Sequence, residues 1–211
     1  MKRVVFNQEN GVIGLLPHRV RSDAGFSIIE VLVAIIILSI GMLGAVGMQT
    51  AALQSNKESR NQAAATSFAR ELAEKMRGNH IVAIRSAAGD INPYVLDATL
   101  DASTVISIPS QNCFTAATGC TALEDVARWD MADWQLRVQK ELPTPRVKVC
   151  FDNDPFDSAG KPRWACSNSG GVAVVKMSWN RNNTAGKLTF TSDTTNDVPA
   201  LVVPVTSGSS Q

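Results

Sequence analysis

An uninterrupted apolar run over residues 26–48 follows a polar leader and is the clearest pattern in the chain. A helix rises about 1.5 Å per residue, so the run reaches about 35 Å, against a hydrocarbon core of about 30 Å. The run is therefore long enough to cross a bilayer. It contains one charged residue, Glu30, and a charge in an apolar span costs at least about 3 kcal/mol. We therefore take Glu30 as a candidate functional residue.

The pattern after the run predicts that the same helix continues to about Gly78. Residues 49–78 contain no proline and are rich in residues with high helix propensity. Apolar side chains recur at helical spacing, and Gly78-Asn79 is a candidate C-terminal cap. The predicted stripe consists of Ala52, Leu53, Ala64, Phe68, Leu72 and Met76. Together with the run, this segment makes a helix of about fifty residues.

Periodicity is lost over residues 81–122, which predicts a long connecting loop with short pieces of structure. A second helix then begins at Thr121, with Glu124 three residues later as the partner in a capping box. Pro143 ends it. Its apolar stripe consists of Leu123, Ala127, Met131, Trp134, Val138 and Leu142.

Four strands are predicted in the last third of the chain. Residues 146–151 and 172–179 alternate apolar and polar side chains, with Lys176 and Ser178 on the polar side. Residues 187–191 and 200–205 supply the other two strands, and Pro204 confines the last one to an edge. The fold class is therefore α+β, in which a small antiparallel sheet packs on the second half of the long helix.

Charge predicts the orientation of this chain in a membrane. Lys2, Arg3, Arg19 and Arg21 precede the apolar run, whereas the first cation after it is Lys57. Positive residues stay on the cytoplasmic side, so we expect an inner-membrane protein with a periplasmic C-terminal body. A net charge of +1 and 6% aromatic residues give no basic stripe, so no nucleic-acid partner is predicted.

The four cysteines all lie in the translocated part, where disulfides form and persist. Four cysteines permit three connectivities. We favour sequential pairing, Cys113 with Cys120 and Cys150 with Cys166. A zinc site is disfavoured, because closely spaced C-x-x-C pairs are missing and His80 is the only histidine after the leader.

Two other kinds of site were weighed. Asp152, Asp154 and Asp157 precede Gly160 and offer a weak calcium candidate, but their order does not match an EF-hand loop, and a solvated turn is favoured. The chain has no G-x-S-x-G elbow, no H-E-x-x-H and no phosphate-binding glycine loop. We therefore predict that it is not an enzyme and has no cofactor.

The segment GFSIIEVL at residues 25–32 resembles the prepilin processing motif of type IV pilins and related pseudopilins. The resemblance implies that a prepilin peptidase cuts after Gly25 and methylates the new amino terminus of Phe26. It also implies that Glu30 acts in filament assembly and that other pilin subunits are partners through the N-terminal helix. The implied route is from the inner membrane to a surface pilus.

Further segments resemble a PilV-type minor pilin. They are residues 113–120, 127–130 with Trp134, 149–152 and 175–179. Major pilins usually end with a disulfide-bounded loop, whereas forty-five residues follow Cys166 here. The resemblance implies a low-copy subunit that helps initiate or cap a retractable filament for attachment and twitching motility. A type II secretion pseudopilin, and a tip adhesin or DNA-uptake subunit, are the alternatives.

These observations divide the chain into five parts. They are a cleaved leader (1–25), a transmembrane and assembly helix (26–48), its extramembrane continuation (49–80), a pilin globular domain (81–206) and a flexible tail (207–211).

Overall fold

A computed structural model describes residues 25–87, 89–110, 113, 119–169, 171–181 and 198–205. The chain divides into two compact units, Met1–Gly47 and Met48–Gln211. The elements are α1 (Ile28–Gly78), α2 (His80–Ala83), β1 (Leu96–Thr99), α3 (Leu123–Glu141), β2 (Arg146–Phe151), β3 (Ala173–Ser178) and β4 (Leu201–Val205). This layout of a long N-terminal helix and a small antiparallel sheet confirms the predicted α+β class.

Helix α1 is 51 residues long, as the sequence predicts, and it ends at Gly78. Its buried stripe differs in part from the prediction. Leu72 and Met76 are buried and Ala64 and Phe68 are partly buried, but Ala52 and Leu53 are exposed. The stripe that packs into the core is Ala65, Ala69, Leu72 and Met76, which repeats every three to four residues.

Helix α3 begins two residues later than predicted, and the capping box is wrong. Ala122 is the N-cap residue, and no side chain caps the helix. Thr121 therefore precedes the N-cap position, the position from which a hydroxyl can accept the first helical amides. The Glu124 carboxylate instead pairs with Arg85 at 2.6 Å. The predicted stripe is confirmed except at its first residue, because Leu123 is exposed and the other five side chains are buried.

The sheet has the order β1-β2-β3-β4 and is antiparallel throughout. Strand β1 lies within the segment predicted as a long loop and pairs Leu96 with Val149. The prediction missed it because four residues are too few for a clear alternation. Strands β2, β3 and β4 lie where the sequence predicts them, and Pro204 is on an edge strand. The predicted strand at 187–191 lies outside the described residues.

The core of the second unit joins the buried faces of α1, α3 and the sheet. Its largest members are Leu72, Met76, Tyr94, Trp134, Met177 and Trp179. The indole Nε1 of Trp134 donates to the carbonyl of Phe68 on α1 at 3.0 Å, and the two rings meet edge to face. One prediction for β3 is wrong: Lys176 and Ser178 are buried, because the chain after β2 contacts that face of the strand.

Leu72→Ala tests the corrected stripe. Leu72 is fully buried, so we expect the variant to lose about 2–5 kcal/mol of unfolding free energy. Leu53→Ala is the matched control, because Leu53 is 69% exposed on the same helix and should change stability by less than about 0.5 kcal/mol. Urea unfolding of the full chain in detergent, followed by tryptophan fluorescence, measures both. Equal losses would contradict this assignment of the buried face.

Candidate functional site

The residues around Gly25 lie outside the helix and are exposed. Gly25, Phe26 and Ser27 precede α1, and the carbonyl of Ser27 accepts the amides of Glu30 at 3.0 Å and Val31 at 3.2 Å. A Cβ added at Gly25 would meet no atom within 4 Å. Packing among the described residues therefore does not require a glycine here, while the bond to Phe26 is open to an enzyme.

Glu30 lies in the first turn of α1 and is exposed. Among the described residues its carboxylate has no hydrogen bond or ion pair. Cleavage after Gly25 would place an amino group at Phe26, four residues away. In the structure Phe26 precedes α1, and four residues of helix would span about one turn. A helix that extended back to Phe26 would therefore place one carboxylate and one cation within reach of each other.

Every residue from 25 to 50 is exposed. The large apolar side chains surround the helix on all sides, as in Ile28, Ile29, Ile37 and Leu38. Helix α1 is long and apolar enough to cross a membrane, and none of its apolar window is buried. A contiguous apolar surface of this size is not stable in water and marks contact with lipid or with other helices.

Ser39 and three glycines in the span have different surroundings. The hydroxyl of Ser39 donates to the carbonyl of Ile35 at 2.7 Å, so its polar group is satisfied within its own helix. Gly41, Gly44 and Gly47 have nothing within 4 Å of an added Cβ. These glycines therefore leave open strips along the helix, where a neighbouring helix can approach closely.

Both disulfides follow the sequential pairing. Cys113 and Cys120 are joined with their Cα atoms 4.8 Å apart, and Cys150 and Cys166 with theirs 6.4 Å apart. Gly119 in the first loop has φ +59°, a conformation that favours glycine. The second disulfide links β2 to the loop that precedes β3. Each disulfide stabilises the fold by about 2–4 kcal/mol, mainly by restricting the unfolded chain.

The calcium candidate is not assembled in the structure. Asp152 pairs with Lys176 at 2.5 Å, and Asp154 pairs with Arg163 at 2.5 Å. Asp157 accepts the amides of Ala159 and Lys161. Within the described residues, one group of possible ligands involves this region, namely Cys150, Asp152 and Cys166. Its two sulfurs are bonded to each other, so the group offers no thiolate to a metal.

Asp152 and Lys176 form a fully buried ion pair, which the sequence prediction missed. Neither side chain is exposed to solvent. Burial opposes ionisation of Asp152, but hydrogen bonds from Lys176 and from the amides of Asp154 and Ser167 outweigh it and lower the pKa of the carboxyl. A lysine in an alternating strand is normally predicted to face solvent. The one signal for this pair in the sequence was the presence of Asp152 just after β2.

A second polar cluster joins α1 to α3. Lys75 on α1 contacts the carboxylate of Asp130 on α3 at 2.8 Å, and the hydroxyl of Tyr94 donates to the same carboxylate at 3.1 Å. Burial and the charge of Asp130 raise the pKa of Tyr94, so this hydroxyl stays protonated and remains a donor. Lys75 also lies 4.0 Å from the carboxylate of Glu71, one turn earlier on α1.

Family models match two adjacent parts of the chain. The prokaryotic N-terminal methylation motif matches residues 20–46, and the type IV pilin Tt1218 model matches residues 47–132. Neither the curated proteins nor the solved structures gave a match. The chain thus carries a prepilin methylation motif followed by a type IV pilin domain, which confirms the resemblance to the type IV pilin family.

These matches support a pilin subunit. A prepilin leader implies processing by a prepilin peptidase and assembly with other pilins, and it fits membrane anchoring before assembly. Type IV pilins are structural proteins, in keeping with the prediction that the chain is not an enzyme.

The pH dependence of stability tests the buried pair. Because the pKa of Asp152 is lowered in the fold, its ionisation contributes stability above the ordinary carboxyl pKa of about 4, and that contribution is lost as the pH falls below it. Asp152→Asn should cost about 3–5 kcal/mol at pH 7, since Lys176 is left unpaired, and less at about pH 2.

Urea unfolding across this pH range measures the effect. Asp97→Asn is the control, because Asp97 forms an exposed pair with Lys148 at 2.8 Å and exposed pairs contribute little. A pH profile of Asp152→Asn parallel to that of the wild-type chain would refute the assignment.

Proposed function

We propose that the chain is a minor subunit of a type IV pilus. A prepilin peptidase cuts it after Gly25 and methylates Phe26. The subunit then stays in the inner membrane with its disulfide-bonded body in the periplasm, and enters a surface filament through its N-terminal helix. There it helps initiate or cap assembly. One observation carries this proposal: residues 26–48 are apolar and exposed all around the helix, apart from Glu30.

The apolar surface explains anchoring but not assembly. Full burial of one large apolar side chain is worth about 1.5–3 kcal/mol relative to water, so insertion into lipid is strongly favourable. Lipid tails are as apolar as the side chains of a helix bundle, so transfer from lipid to bundle gains little from the hydrophobic effect. The selectivity of assembly must therefore come from close packing and from polar groups.

Glu30 is the polar group that can supply this selectivity. An unpaired carboxylate in hydrocarbon either takes up a proton or finds a cation. The amino group of Phe26 is such a cation, and in a bundle it can come from a neighbouring subunit instead of the same chain. A pair between subunits forms at one helix register only. Pairing of Glu30 therefore stabilises an incoming subunit only at the correct register.

The position of the second disulfide favours a minor subunit over a major one. Cys150–Cys166 closes a loop between β2 and β3, and strand β4 still follows it. The type IV pilin resemblance associates major pilins with a disulfide loop near the C-terminus. The body of this chain departs from that pattern.

Glu30→Ala tests the assembly role. The variant should insert into the membrane at least as well as the wild-type chain, because removing a charge from the span eases insertion. It should still be processed and fold outside, but the ratio of filament to membrane subunit should fall at least about tenfold, the equivalent of about 1.4 kcal/mol. Immunoblots of sheared filaments and of membranes measure this ratio.

Ser39→Ala is the matched control, because the Ser39 hydroxyl bonds within its own helix and needs no partner from another subunit. Glu30→Gln separates charge from hydrogen bonding. Incorporation of Glu30→Ala at the wild-type level would rule out a role for Glu30 in this subunit.

Deleting the gene separates the classes of filament. Loss of surface pili and twitching supports the pilus assignment. Loss of protein secretion with intact pili would instead assign the chain as a type II secretion pseudopilin. Intact pili that no longer attach or take up DNA would assign it as a tip subunit.

A further inference from the structure

The loop between β2 and β3 is held by polar contacts on both sides of Cys166. The ammonium of Lys176 donates to the carbonyl of Ala165, the residue before Cys166, at 2.6 Å. The carboxylate of Asp152 accepts the amide of Ser167, the residue after Cys166, at 3.2 Å. Asp152 itself lies two residues after Cys150. The buried pair therefore binds the chain next to both cysteines.

Lys176 has all three of its donors occupied. They go to the carboxylate of Asp152 at 2.5 Å, the carbonyl of Arg163 at 2.8 Å and the carbonyl of Ala165. An ammonium offers three donors and no acceptor, so the side chain is fully satisfied without water. An isolated buried charge would cost several kcal/mol, so the loop must be in place whenever Lys176 is buried.

The loop has further contacts to the sheet that do not involve sulfur. The amide of Asn168 donates to the carbonyl of Phe151 at 3.0 Å. The guanidinium of Arg146 on β2 lies 4.2 Å from the ring centroid of Trp164. Neither these contacts nor the buried pair uses a cysteine sulfur. They can therefore form in the reduced chain.

We propose that Lys176, with Asp152, is a positioning residue for oxidation of Cys150 and Cys166 and selects this pairing among the three that four cysteines allow. In the reduced chain the pair holds Cys166 beside Cys150. The two thiols then lose two protons and two electrons to a disulfide oxidant, which is reduced to two thiols, and the new S–S bond locks the loop. Contact geometry raises the effective concentration of one cysteine for the other.

Glutathione equilibration of the full chain in detergent tests the proposal. The reduced protein is incubated with mixtures of reduced and oxidised glutathione, quenched by alkylation and mapped by mass spectrometry, which gives an effective concentration for each disulfide. Lys176→Met should lower the value for Cys150–Cys166 at least about tenfold and produce pairs that join the two loops. The value for Cys113–Cys120 should not change, which makes it an internal control.

Lys148→Met is the matched control variant. Lys148 lies directly opposite Lys176 in the register of β2 and β3, and its ammonium donates to Asp97 on β1. In the Lys148→Met variant, the effective concentration for the Cys150–Cys166 disulfide should equal the wild-type value. An equal drop in Lys148→Met and Lys176→Met would overturn the proposal, because any lost lysine on this face would then suffice.

A double variant keeps the test decisive if Lys176→Met does not fold. Lys176→Met with Asp152→Asn removes both charges and keeps an acceptor for the amides of Asp154 and Ser167. It should regain the fold and still show the lowered effective concentration. A wild-type value in this variant would overturn the proposal.

Discussion

An apolar helix surface with a single carboxylate is the constraint on which the rest of the account depends. All of residues 26–48 are exposed. The free energy of so much apolar surface in water is high, so the segment must lie in lipid or among other helices. Because both surroundings are equally apolar, only Glu30 and the small residues distinguish them.

The body meets a different physical requirement, which is to stay folded with a small core. The described residues form a sheet of four strands, and α1 and α3 contribute one buried stripe each. Two disulfides and two buried polar clusters add to this core. The Asp152–Lys176 pair covers no large area, but it fixes where the loop after β2 lies. The buried polar groups thus specify the loop, while the apolar stripes provide most of the stabilisation.

The sequence predicted the features that depend on local pattern. Periodicity over many residues can be recognised in a single sequence. It predicted the length of α1, the stripe of α3 and three of the strands. The features that it missed depend on contacts between distant segments. Strand β1 is recognisable only beside β2, the burial of Lys176 only beside the loop that covers it, and the Lys75–Asp130 contact only after α1 and α3 have packed. Leu53 and Leu72 look alike in sequence, and the fold alone separates them.

The candidate site divides in the same way. Gly25, Phe26 and Glu30 were recognisable because a cut site, an aromatic residue and a carboxylate occur at fixed spacing before an apolar run. Sequential pairing was favoured among three connectivities and is the pairing in the structure, whereas no sequence pattern indicated the residues that hold Cys166 in place. Local motifs therefore predicted where the chain is processed, and tertiary contacts determine how its body is held.

The most direct test of the central claim is the N-terminal peptide of this chain in sheared surface filaments, read by mass spectrometry. The account predicts a peptide that begins at Phe26 and carries one methyl group on its amino terminus. A chain that still begins at Met1, or one found in membranes but never in filaments, would contradict it.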